Sequence, residues 1–106
     1  MSLNNLFEGM PEVVGEELFD EIVNSAGVRV ERILSQGQTS PASGWYDQDE
    51  NEWVVILQGA GKIAFEDGSE VLLSRGDYLN IPKHVKHRVA WTEPDAVTVW
   101  LAVFYL

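Results

Sequence analysis

The chain has 106 residues, 17 of them acidic and 7 basic, for a formal charge of −10 at neutral pH. That balance argues against nucleic acid and anionic membrane surfaces as partners, and the length allows one domain, not two. With no cysteine, disulfides, thiolate metal ligands and a cysteine nucleophile are all excluded.

The absence of cysteine also suits a reducing compartment. No basic-then-apolar leader is evident, and no apolar run approaches the ~20 residues of a membrane span. A soluble, cytoplasmic protein is expected. The charge is uneven, with 11 acidic and 2 basic residues through Glu52 and 6 against 5 thereafter.

Residues 1–27 read as an N-terminal arm packed on the rest of the chain. Within it, Glu16 to Asn24 places Leu18, Phe19, Ile22 and Val23 at a spacing that predicts a short amphipathic helix ending at Gly27. From Val28 the pattern turns to strand. Val28 to Leu34 opens with apolar–polar alternation, and Ser35 to Gly44 is rich in Ser, Gly, Thr and Pro, as loops are. Trp53 to Leu57 is a continuous apolar, β-branched run, expected of a strand covered on both faces.

Gly59-Ala-Gly61 then turns into a strand over 62–66, and Asp67-Gly68 signals a hairpin to Glu70–Leu73. Arg75-Gly76-Asp77 turns into Tyr78–Ile81. His87–Thr92 and Val97–Tyr105 complete the series. Seven or eight short strands with regular turns predict an all-β sandwich or barrel over 28–106. The last run is apolar on both faces and needs cover, from a central position in a sheet or from a second copy.

Two polar stretches adjoin core strands. Tyr46-Asp-Gln-Asp-Glu-Asn-Glu52 leads into Trp53, and Pro82-Lys-His-Val-Lys-His87 leads into Arg88. Strand alternation puts Glu52 on the face of Val54 and Ile56, and His87 on that of Val89 and Trp91. If both faces point inward, a carboxylate and an imidazole enter an apolar interior, which is costly unless they pair or hold an ion.

These stretches resemble the cupin superfamily. Glu52-Trp-Val-Val-Ile-Leu-Gln-Gly59 has the form of its first motif, Glu, six residues, Gly. Gly76-Asp-Tyr-Leu-Asn-Ile-Pro82-Lys-His-Val-Lys-His87 keeps the Gly, Pro and His spacing of the second. The resemblance implies a small single-domain cupin, a jelly-roll or double-stranded β-helix barrel, here with the short N-terminal helix, and a homodimer. In cupins that bind a metal, an early His-x-His pair, the motif Glu and the motif His hold it; imidazole and oxygen ligands suit a divalent Fe, Mn, Ni or Zn.

The departures bear on function. The early histidine positions fall on Tyr46 and Gln48, or on Trp45 and Asp47. His84 stands at the second motif's second Gly, and Trp91 at its Asn. Three sites remain open. Gln48, Glu52 and His87 can share an ion, with Tyr46 or water completing its shell. His84 can join Glu52 and His87, provided the Pro82 loop bends it inward. Or Glu52 and His87 form a buried pair lining an organic-ligand pocket without metal. A calcium loop over Asp47, Asp49 and Asn51 is rejected, because Glu52 and Gln58 occupy its Gly and bidentate Glu positions.

As an enzyme of the dioxygenase or isomerase type that the resemblance implies, the chain would use a divalent metal at Glu52 and His87 as Lewis acid or oxygen-binding centre, with Tyr46 or His84 as acid–base partner. The alternative is a metal-free binding or sensing protein. In either case Lys83, Lys86 and Arg88 suggest a mouth that attracts a small anionic organic ligand. Trp91 is expected beside His87 in the pocket, with Trp53 and Trp100 on opposite faces.

Overall fold

The computed structural model describes residues 1–106 as eight strands and no helix. In chain order these are β1 (Leu18–Ser25), β2 (Val28–Ser35), β3 (Asn51–Gln58), β4 (Ala60–Phe65), β5 (Glu70–Ser74), β6 (Tyr78–Ile81), β7 (His87–Thr92) and β8 (Thr98–Tyr105). A five-stranded sheet, β1-β2-β8-β3-β6, faces a three-stranded one, β5-β4-β7. All pairings are antiparallel. No helix is long and apolar enough to cross a membrane.

The predicted helix over 16–24 is instead strand β1, hydrogen-bonded along β2. The register slips between Glu21 and Val23, and that bulge shifts the phase of the alternation. Two faces of a bulged strand thereby imitate the spacing of one helix face. Gly27 does end the segment, but as half of a two-residue hairpin turn with φ +83°, a conformation that favours glycine.

The arm before β1 lies on the outer side of the large sheet. Val14 packs on Leu34 and Val99, with Met10 alongside. The Arg32 guanidinium donates to the carbonyls of Leu6 and Glu8 and to Asp20 Oδ2 at 2.6 Å, tying arm to sheet.

Between the sheets Val54, Ile56, Ile63, Leu73, Ile81, Trp100, Ala102 and Phe104 form one buried cluster. Strand β8 runs between β2 and β3, the central position its two apolar faces required. Trp100 points into this core, not to the opposite face: its indole nitrogen donates to Ser35 Oγ at 2.8 Å. The ring lies against Gly61, where a Cβ would collide with it. Trp53 does face out, 5.6 Å from the Tyr78 ring.

The first motif's glycine has a physical reason. Gly59 has φ +86° at the corner between β3 and β4, and a Cβ there would come within 2.7 Å of the Thr98 backbone.

Candidate ligand site in the barrel

Glu52 sits at the start of β3 and His87 at the start of β7, in opposite sheets. Alternation turns both inward, in line with Val54 (2% exposed) and with Val89. The His87 Nε2 and Glu52 Oε1 atoms are 3.4 Å apart, with side chains only 6% and 12% exposed. Two residues 35 apart in the chain thus meet inside the closed sheets.

The loop before β3 supplies the surroundings. Tyr46 pairs with His87 through the backbone in both directions, at 2.8 and 3.2 Å. This places its ring 5.8 Å from the imidazole. Gln48 Nε2 donates to Glu52 Oε1 at 3.1 Å. His87 Nδ1 lies 2.8 Å from the Val85 carbonyl, which can only accept, so Nδ1 carries a proton and Nε2 is the atom turned to Glu52.

Burial, the largest single influence, pulls the His87 pKa down. The hydrogen bond that the ring donates to Glu52, the Val85 carbonyl and the Glu52 charge together outweigh it, and the pKa lies above its ordinary value. The surroundings of His87 therefore favour its protonated form.

A cavity of about 190 Å³ opens from this pair. Its wall is apolar, with Val54, Ile63, Val89, Trp100 and Phe104. Its rim is built by Glu17, Phe19, Ile33 and Tyr46. Glu17 and Phe19 escaped the sequence reading because a helix was expected where β1 runs. The signal for them was the β-branched Ile22-Val23 pair ahead of Gly27, a hairpin pattern.

Three expectations are corrected. His84 does not turn inward: its backbone has φ +64°, and its ring is 59% exposed between Asp47 Oδ1 at 2.8 Å and Asp49 Oδ1 at 3.5 Å. Those carboxylates hold it outside, away from Glu52 and His87. Trp91 also faces out, beside Lys62 and Leu72, because the β4–β7 register slips between Lys62 and Ile63 and reverses the alternation after Val89.

The basic run is no mouth. Lys86 pairs with Glu66 at 3.5 Å, Arg88 stacks over Trp45 at 4.9 Å, and neither they nor Lys83 lines the cavity. The expectation of an anionic ligand rested on these side chains and loses that support.

A resident divalent ion needs about three protein ligands even in an open catalytic site. Here two strong donors, Glu52 and His87, converge with one neutral amide, Gln48, whose NH₂ already donates to Glu52. No group of three His, Asp or Glu side chains is arranged to hold an ion, and beyond Glu17 and the Tyr46 hydroxyl at the rim the remaining lining is apolar. The donor set does not fit such an ion.

Two facing antiparallel sheets, closed over a site carried by the motif Glu and the motif His, define a small β-barrel of the cupin class. The Cupin domain family matches residues 31–104, and the chain belongs to that family.

Among solved structures, the chain is 39% identical to one from Ralstonia eutropha JMP134 named as a "putative mannose-6-phosphate isomerase", covering 99% of this chain and 98% of that one with TM-score 0.93. It is also similar to a cupin superfamily protein from Desulfitobacterium hafniense DCB-2, at 17% identity, 92% and 84% coverage and TM-score 0.75. A third, TT1209 from Thermus thermophilus, matches at 16% identity, 99% and 97% coverage and TM-score 0.79. The last two likenesses concern the fold alone. No curated protein matches the chain.

Proposed function

We propose that the chain binds a compact, largely apolar organic molecule inside the barrel, with the Glu52–His87 pair as the polar end of the site and without a resident metal. One observation carries the reading: a largely apolar cavity of about 190 Å³ contains a paired carboxylate and imidazole, Glu52 and His87. That volume is near the ~150 Å³ cavity known to hold benzene, so a ligand of about one ring is the right size. His87 Nε2 can donate to a hydroxyl or carbonyl oxygen, and Glu52 can accept.

The name of the Ralstonia neighbour favours a second reading, turnover by proton transfer. In an isomerisation, Glu52 would take a proton from carbon while His87 gives one to the adjacent carbonyl oxygen. A carboxylate and a protonated imidazole side by side are groups suited to that exchange. A phosphorylated sugar is a poor match, since no Lys or Arg lines the cavity.

Thermal shift with a panel of single-ring compounds tests the binding reading. A true ligand at a hundred times its dissociation constant raises stability by about 2.7 kcal/mol, and the gain disappears in His87→Ala. Elemental analysis of protein purified without a metal-affinity tag should find no stoichiometric divalent ion. An ion present one per chain, and lost in both Glu52→Gln and His87→Ala, contradicts the metal-free part.

A further inference from the structure

The cavity's rim and wall carry four aromatic rings, Phe19, Tyr46, Trp100 and Phe104, and a carboxylate, Glu17. Neither Lys nor Arg is among the lining side chains. Glu52 is matched by His87. Glu17 is not matched: burial alone acts on its carboxyl, pushing its pKa up, with no hydrogen bond or neighbouring charge to offset it. A half-buried acid without a partner, in a cavity that aromatic side chains also line, is what a cationic ligand would complete.

The fold already uses one of these rings in this way. The Arg29 guanidinium lies 4.1 Å from the centre of the Phe104 ring. That cation is neutralised by Glu31 at 2.7 Å and Glu50 at 2.8 Å, so it does not serve Glu17. The chain's charge of −10 adds a field that draws cations and repels anions.

Resting on the binding reading above, we infer that the cavity selects a small organic cation, an ammonium on a single-ring or similarly compact body, with Glu17 as its counter-charge and the aromatic rim around it. The carbon body occupies the apolar wall, and the ammonium replaces the missing partner of Glu17.

Three probes share one ring and differ only in the head group: benzylamine, protonated at neutral pH, benzyl alcohol and benzoate. Their dissociation constants are measured by protein-observed NMR on the full chain and on Glu17→Gln. Benzylamine should bind at least fivefold tighter than benzyl alcohol, with benzoate weakest. In Glu17→Gln that preference should vanish, while benzyl alcohol stays within twofold of its original affinity. Benzyl alcohol binding as well as benzylamine to the unaltered chain overturns the inference and leaves the binding reading standing. So does a benzylamine preference that survives Glu17→Gln. If no probe shifts the resonances of residues lining the cavity, the binding reading fails, and the inference falls with it.

Discussion

Replacing Glu52 by Leu should cost about 3 kcal/mol of folding stability, read as a lower midpoint in urea denaturation. The side chain is 12% exposed and faces an imidazole that is 6% exposed. Removing one member of a buried pair leaves the other desolvated and unmatched, which typically costs about 3–5 kcal/mol. Glu52→Gln keeps the shape and a polar neighbour for Nε2, so it should cost clearly less. The double variant Glu52→Leu/His87→Phe removes both polar groups, and its loss should be smaller than the sum of the two single losses. A Glu52→Leu loss under about 0.5 kcal/mol, the range of ordinary surface changes, means that the two groups do not face each other in solution.

Gly61→Ala should destabilise by about 2 kcal/mol, lowering the melting temperature by roughly 10 °C at about 4–8 °C per kcal/mol for domains near this length. The added methyl would meet the six-membered ring of the Trp100 indole. That ring cannot retreat freely, because its nitrogen donates to Ser35 Oγ and Trp100 is 4% exposed in the packed core. In Gly61→Ala/Trp100→Leu the clash is gone, and the double variant should lose less than the two single losses added together. An additive pair would mean that the glycine is not there for the indole. Trp100 also lines the cavity, so Gly61→Ala should weaken ligand binding as well.

What the sequence made legible follows from what is local. Gly59, Gly76, Pro82 and the Asp67-Gly68 turn punctuate the chain where backbone geometry demands it, and the strands from β2 onward fall between them. The inward facing of Glu52 and His87 was legible too, because each opens a strand whose next inward positions are apolar.

What escaped depends on pairing partners. A bulge between Glu21 and Val23 disguised β1 as a helix, and with β1 went Glu17 and Phe19, the rim of the site. A second register slip beside Ile63 turned Trp91 outward. Trp100 was placed on the wrong face because β8 is apolar on both faces, so a period of two cannot say which is inside. The direction of His84 was set by Asp47 and Asp49, a contact between distant loops that no local pattern announces.

The protonation of His87 tests the account most directly. Its pKa is raised in the folded chain, so folding binds a proton over the interval above the unfolded value, ordinarily ~6.5. The pair's contribution to stability is then full below that value and is lost as pH rises through the folded pKa. NMR titration of the His87 ring in the unaltered chain and in Glu52→Gln reads this without reference to activity. The account predicts a pKa above the ordinary histidine value that drops when Glu52 becomes Gln. A ring that titrates identically in both proteins, or stays neutral through the acid range, would contradict it.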